Sequence, residues 1–211
     1  MALIYDFIPP IETEYIPINY DFYKSYLRNN KFNEIFKQQT SYIKRKYGIT
    51  DKELIEEYFV ELFSWSVIPE ELLLDISNFL LKNNITRILD PCCGNAFHTC
   101  LFDMISGINT LSCDIQREEN AWIETLEQDG RQFLDELNEQ EHFEGALILS
   151  WIDGEKLARE LLSKFKGNII ISIGNYVINT EYIDNLKRYY KLRKQIILKM
   201  HPFIAVFFKI C

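Results

Sequence analysis

The chain has 211 residues, 47% hydrophobic and 26% charged, with 23 basic residues against 31 acidic ones for a net charge of −8. That length is one domain, or one domain with an appendage, and the mix excludes a mostly disordered chain. Net acidity excludes global steering toward nucleic acid, and no run approaches the roughly 18 uncharged apolar residues of a membrane span, so no membrane association is expected.

The stretch after Met1 carries Asp6, Glu12 and Glu14 and no basic n-region, so no secretory signal is expected. Five cysteines follow no disulfide-framework spacing. They read as reduced thiols, which places the chain inside a cell, in the cytoplasm. Residues 1–18 are punctuated by Pro9, Pro10 and Pro17 and read as an extended arm on the body. Asn19 or Asp21 opens a helix to about Arg28. A second helix is expected over 31–47, with Phe32, Ile35, Phe36 and Ile43 at near-helical spacing and Gly48 ending it. Thr50-Asp51-Lys52-Glu53 has the form of a capping box for a helix to about Phe63. Another helix starts near Pro69, with Leu72, Leu73, Ile76, Leu80 and Leu81 on its apolar side. Residues 1–84 therefore read as a helical N-terminal extension that covers the site.

Residues 85–211 have a different texture. Apolar runs at 87–89, 108–113, 122–126, 146–150 and 168–173 alternate with helical stretches at 97–106, 131–140, 155–165 and 181–190. Alternation at this interval means a parallel sheet with crossover helices. Two last strands, 194–199 and 203–210, are joined by Met200-His201-Pro202. So short a link permits only an antiparallel pair.

Charge is uneven. Lys24, Arg28, Lys31, Lys37, Lys44, Arg45 and Lys46 face one acid, Glu34, across residues 24–46, whereas residues 114–160 hold 14 acids and four bases. The basic run reads either as a solvated helix face or as a rim for an anionic substrate.

The first α/β strand runs into Asp90-Pro91-Cys92-Cys93-Gly94-Asn95-Ala96. Ligands of open α/β sheets bind at the carboxyl ends of strands. A small-residue turn there lets backbone approach a ligand, and the next helix presents free N–H groups. Asp114 ends the second strand, 20 residues after Gly94, where a carboxylate can accept both ribose hydroxyls of an adenosine. Asp129 follows the third strand and can accept from an adenine amino group. Ser150-Trp151-Ile152-Asp153 follows the fourth. Trp151 reads as packing or as a stacking surface, and Asp153 as a helix cap or a general base. His98 reads as packing or as a functional imidazole. Cys92, Cys93, His98, Cys100 and Cys113 lack the two-to-four-residue gap of a zinc knuckle, so no metal site is expected.

On these residues, the region 87–211 resembles the class I S-adenosylmethionine-dependent methyltransferases. Asp90-Pro91-Cys92-Cys93-Gly94-Asn95-Ala96 is similar to the first motif of their amino-methylating branch, Asp114 to the ribose-binding acid and Asp129 to the adenine-binding acid. The resemblance implies an α/β Rossmann-like fold, mostly parallel and closed by an antiparallel C-terminal hairpin. It implies S-adenosylmethionine as cofactor, with Asp90, Cys92, Cys93, Gly94, Asp114, Asp129 and Ser150 around it and Trp151 and Asp153 beside the transferred methyl group. A narrower similarity, over 63–211, links Phe63-Ser64-Trp65-Ser66-Val67-Ile68-Pro69, Leu149-Ser150-Trp151 and Ile171-Ser172-Ile173-Gly174-Asn175 to a methyltransferase-like group with no assigned substrate.

The departures are specific. Cys92 and Ala96 stand where many members carry glycine, and Ala96 is strained there if its φ must be positive. The fourth-strand Asn/Asp-Pro-Pro-Tyr/Phe motif is absent. The expected function is methyl transfer to an unidentified acceptor, whether small molecule, protein or nucleic acid. The alternative is a catalytically silent scaffold or regulatory protein of the same fold. A third reading is an NAD-dependent oxidoreductase, since an acid about 20 residues after the turn also suits NAD, though Gly-x-Gly-x-x-Gly is missing.

Overall fold

The computed structural model describes residues 11–12, 33–48, 63–64, 68, 70–105, 107–139, 145–152, 154–175, 190–197 and 202–209. In chain order these form β1 (Ile11–Glu12), α1 (Asn33–Tyr47), α2 (Glu70–Lys82), β2 (Arg87–Asp90), α3 (Phe97–Asp103) and β3 (Asn109–Asp114). There follow β4 (Leu126–Glu127), α4 (Gly130–Glu139), β5 (Ala146–Ser150), α5 (Glu155–Lys164), β6 (Ile169–Asn175), β7 (Tyr190–Ile197) and β8 (Pro202–Lys209).

The helix ends follow local chemistry. Gly48, at φ +67°, closes α1 and donates its N–H to Lys44 O at 2.8 Å. After α2, Asn84 takes the left-handed conformation at φ 60°. Its N–H reaches Leu81 O at 3.0 Å, and the Ile85 N–H reaches Leu80 O at 2.9 Å. This paired closure satisfies the last carbonyls of the helix, and it turns the chain directly into β2. Leu72, Leu73, Ile76 and Leu80 are the buried stripe of α2.

The strand order is β1-β7-β8-β6-β5-β2-β3-β4. β2 pairs in parallel with β3 and β5, β5 with β6, and β3 with β4. β8 lies between β6 and β7 and runs antiparallel to both, with Ile169 opposite Phe208 and Tyr190 opposite Lys209. β1 adds a parallel edge to β7, through Ile11 opposite Ile196. The first expected C-terminal strand begins four and ends two residues earlier than the sequence suggests, the second is earlier by one at each end and takes in Pro202, and residues 198–201 lie outside the described residues.

Alternation on buried strands separates two cores. Ile88, Ile148 and Ile171 face α2 and α3, packing with Leu73, Phe97 and Leu101. Leu89, Leu147, Leu149 and Ile170 face α4 and α5, packing with Phe133, Leu137 and Leu161. The helices of the second layer are also tied together, by Arg131 to Glu160 at 2.8 Å and by Asn138 Nδ2 to Lys164 O at 2.8 Å.

One expected strand is corrected. Of 122–126, only Leu126 joins a ladder, as part of β4. Trp122 is fully buried, and its N–H donates to Asn95 O at 2.8 Å. Its ring stacks on Phe63 at 5.5 Å and 14° and meets Phe97 at 5.5 Å and 59°. Burial in an aromatic cluster, not pleating, accounts for the apolar character of this stretch. The helices expected over 19–28, from Thr50 to about Phe63 and over 181–190 lie outside the described residues except at two ends, where Phe63 is in a turn and Tyr190 begins β7.

Candidate functional site

β2, β3 and β5 end side by side, and the turn 91–96 lies across their carboxyl ends. Cys93 N–H pairs with Cys113 O at 3.1 Å, which anchors the turn to β3. Gly94 takes φ +53°, and its N–H donates to Asp114 Oδ2 at 2.9 Å. The 20-residue spacing therefore brings glycine and acid into direct contact. Asp114 Oδ1 accepts in addition from Gln116 N at 3.3 Å.

Ala96 has φ 57° and ψ 26° and is completely buried. It is in the left-handed region, so the strain anticipated from the sequence is present. The turn holds it there by an Ala96 N–H bond to Cys93 O at 2.8 Å, while Ala96 O accepts the Cys100 N–H at 2.9 Å.

Asp90 is buried, and its Oδ2 accepts from Thr99 Oγ1 at 2.6 Å, in the first turn of α3. Its Oδ1 is buried with no partner. Burial raises the carboxyl from 3.8 to about 7; Thr99 opposes the shift and the nearby Asp114 adds to it. Burial first, and then Asp90 and Asp114, pushes the Cys92 thiol up to about 12. Cys93 and Cys113 are raised as well, burial being the largest cause and the same acids adding to it. Burial of this kind keeps the three thiols protonated at neutral pH, as suits small packing groups. Among the described residues, no group of three or more His, Cys, Asp or Glu is arranged to hold a metal.

Two residues that the sequence reading did not single out complete the turn's surroundings. Asn95 Nδ2 donates to Phe63 O at 2.8 Å, and Asn95 Oδ1 accepts from Phe97 N at 3.1 Å. Asn95 thus ties the turn to the segment ahead of α2. Glu118, in the loop after β3, lies against Gly94: a Cβ built on Gly94 would come within 3.8 Å of Glu118 Oε1. Partial burial and then Asp114 raise the Glu118 carboxyl, and Lys46 of α1 opposes them. The Asn95 bond to Phe63 and the approach of Glu118 to Gly94 are contacts made in space, for which sequence spacing gave no signal.

Asp129 occupies the expected place after β4, but much of its capacity is already used. Oδ1 accepts from the Arg131 N–H at 2.8 Å and Nε at 2.9 Å, and Oδ2 pairs with Arg131 at 2.5 Å. The Arg131 bonds hold its carboxyl down to about 2. Beside it, a cleft of about 530 Å3 is lined by Ile115, Leu126, Glu127, Gln128, Asp129 and Gln132. Ile115 and Leu126 are well exposed there, at 72% and 53%. Two bare aliphatic side chains flanked by acids and amides form a surface suited to a flat heterocycle.

Ser150 ends β5, half-buried, with its Oγ 2.8 Å from His98 Nδ1. Trp151 follows at φ 49°, half-buried, and its N–H donates to Ile173 O at 2.8 Å. Asp153 lies outside the described residues, and α5 begins after Gly154 without a side-chain cap.

The turn thus brings Cys92, Cys93 and Gly94 together with the strand-end acids Asp90 and Asp114, while Asp129 follows β4 and Ser150 and Trp151 lie at the end of β5. The N-terminal segment reaches it as well: Gln39 Nε2 of α1 donates to Asn120 O at 2.5 Å and Ala121 O at 3.1 Å, in the loop that carries Glu118.

No protein-family model matches the chain, and none of the curated proteins matches it. Among solved structures, a candidate O-methyltransferase from Klebsiella pneumoniae superposes with a TM-score of 0.50 at 12% identity, over 81% of this chain and 96% of that one. A candidate class I S-adenosylmethionine-dependent methyltransferase from Listeria monocytogenes gives 0.49 at 13% identity, over 88% and 70%. An rRNA methylase from Streptococcus thermophilus gives 0.47 at 15%, over 69% and 100%. At these identities a likeness speaks for architecture alone. With the strand order and the first of these superpositions, the fold of the chain is the Rossmann-like α/β fold found in methyltransferases.

Proposed function

We propose that the chain binds S-adenosylmethionine at the carboxyl ends of β2, β3 and β4 and transfers its methyl group to an acceptor. The observation that carries this reading is the electrostatics of the turn. Asp114 and Glu118 lie against Gly94 with Asp90 close behind Asp114, and the carboxyls of Asp90 and Glu118 are raised by burial and by Asp114. Such a site favours a cationic ligand, because a positive charge offsets the mutual repulsion of the acids. S-adenosylmethionine carries a sulfonium and an ammonium. NAD brings a pyrophosphate, which the same acids repel, so the oxidoreductase reading is disfavoured.

The fit extends to the rest of the ligand. Asp114 is placed to exchange its Gly94 and Gln116 bonds for ribose hydroxyls. Ile115 and Leu126 offer faces to adenine, with Asp129 at its edge. When bound, the cofactor supplies an electrophilic methyl carbon, so the protein's part is mainly to align donor and acceptor.

In this reading, residues 1–84 form a cover over the site. The Gln39 bonds and the packing of Phe63 on Phe97 and Trp122 support it. Lys44, Arg45 and Lys46 close the carboxyl end of α1, and Lys46 acts on Glu118 at the turn. An anionic acceptor entering beneath α1 would meet these charges. A catalytically silent protein is the second reading, favoured by the strained Ala96 and by the commitment of Asp129 to Arg131.

Calorimetric titration tests the assignment. S-adenosylmethionine and S-adenosylhomocysteine are expected to bind and NAD is not. Asp114→Ala should weaken both nucleosides ten- to a hundred-fold, about 1.5–3 kcal/mol. Equal titrations of wild type and Asp114→Ala would overturn the site. Tight binding without methyl transfer to any acceptor class would favour the silent protein.

A further inference from the structure

β2 and β5 end in the same way on the face toward α3. Ile88 and Ile148 point into the apolar core on that face, and two residues later each strand carries a polar side chain, Asp90 and Ser150. Their partners are consecutive residues of the first turn of α3: Asp90 bonds Thr99 and Ser150 bonds His98. The two pairs differ in access. Asp90 and Thr99 are both buried, whereas Ser150 is half-buried at the strand end and His98 behind it is 5% exposed. The chain then leaves Ser150 through a tryptophan in the left-handed region, a conformation rarely tolerated by a bulky side chain. Trp151 is held there by its N–H bond to Ile173 O, so the chain bends away and the Ser150 hydroxyl is left at the open end of β5.

Resting on the methyl-transfer reading above, we propose that Ser150 and His98 form a proton relay on the acceptor side of the site, for an acceptor that attacks through an O–H or N–H group. Ser150 Oγ donates its hydrogen to an unprotonated His98 Nδ1, which leaves the oxygen's lone pairs for the acceptor's hydrogen. As the acceptor atom bonds to the methyl carbon with its own lone pair, the electrons of the broken carbon–sulfur bond stay with sulfur. The acceptor's proton passes to Ser150 Oγ, and the Ser150 proton passes to His98 Nδ1. His98 ends as imidazolium, and Ser150 is unchanged. This placement gives the end of β5 a polar function although it lacks a Pro-Pro motif. It also gives the buried His98 a use beyond docking α3. Ser150 and His98 are positioning and proton-transfer groups here, and they make no claim on the adenosine.

The test reads the imidazole directly and needs no acceptor. The chain has three histidines, so the ring 15N resonances of His98 are assigned by their loss in His98→Gln. In wild type, Nδ1 is expected to show the signature of an unprotonated nitrogen, and Ser150→Ala should shift it. S-adenosylmethionine and S-adenosylhomocysteine differ by one methyl group and one positive charge. With each bound to saturation, the His98 resonances are expected to differ between the two complexes. A protonated Nδ1 would overturn the relay. So would identical His98 resonances in the two complexes, or a loss of cofactor affinity beyond tenfold in Ser150→Ala, which would place the pair on the cofactor. Failure of either ligand to bind wild type would instead remove the methyl-transfer reading itself, and calorimetry distinguishes that result from the others.

Discussion

At the scale of single residues, two positions in the turn carry a measurable cost. Asp90 titrates at 3.8 without burial and near 7 in the folded chain. Between these values the unfolded chain has lost the proton and the folded chain has kept it. Unfolding then releases a proton, so this group's contribution to stability is full below about pH 4 and is lost as pH rises through about 7, a change of the order of 4 kcal/mol. Asp90→Asn removes the titration and keeps an acceptor for Thr99. Urea unfolding at pH 4.5 and pH 8 is expected to move the stability difference in favour of the variant at the higher pH, and a pH-independent difference would contradict this. Ala96 pays for its left-handed backbone with roughly 1 kcal/mol or more. Ala96→Gly relieves that strain but adds freedom to the unfolded chain. The net expectation is a neutral to slightly stabilised protein, by up to about 1 kcal/mol, with cofactor affinity undiminished. A melting temperature lowered by several degrees would show that the alanine methyl contributes packing that outweighs the strain.

At the scale of elements, the turn after β2 is fixed from three sides. β3 holds it through Cys113 O, α3 grows out of Ala96, and α4 starts against Pro91. The last contact has no room to spare. A Cβ on Gly130 would lie 2.3 Å from Pro91 O and 2.9 Å from Pro91 Cβ. Gly130→Ala is expected to cost about 1–3 kcal/mol as α4 is pushed from the turn. It should also weaken S-adenosylhomocysteine, since Asp129 and the cleft move with the start of α4. Unchanged denaturation midpoint and affinity together would show that the helix yields freely. Both ends of α4 are tied to α5, the first through Arg131 and Glu160 and the last through Asn138 and Lys164.

At the scale of the whole molecule, the net charge of −8 hides an arrangement that matters. Lys44, Arg45 and Lys46 are grouped in the last turn of α1, and Lys46 acts on Glu118 beside Gly94. Charge reversal at these three residues should weaken a polyanionic probe such as fluorescent polyphosphate, and raising salt in wild type should do the same as the Debye length shortens to about 8 Å near 0.15 M. S-adenosylhomocysteine affinity is expected to stay within threefold. Probe binding that ignores both changes would exclude this end of α1 as an anion entrance.

Sequence alone determined the parts of this protein that depend on local pattern. The alternation of apolar runs and helical stretches from β2 to β6 follows from side-chain periodicity, and Gly48 stops α1 because only its backbone needs a positive φ there. The strand-end acids Asp90 and Asp114 were legible for the same reason, since each ends an element whose position the pattern sets. Tertiary structure decided the rest. Trp122 looked like part of a strand, but contact with Phe63 and Phe97, from segments far away in the chain, made it the centre of an aromatic cluster. The sign of the Ala96 φ depended on how the turn meets β3 and α3. Whether Asp129 is open or paired depended on the reach of Arg131, and the partnership of His98 with Ser150 spans 52 residues that only the packing of α3 on β5 brings together. Periodicity reports which face a residue turns inward; it carries no information about what that residue meets there.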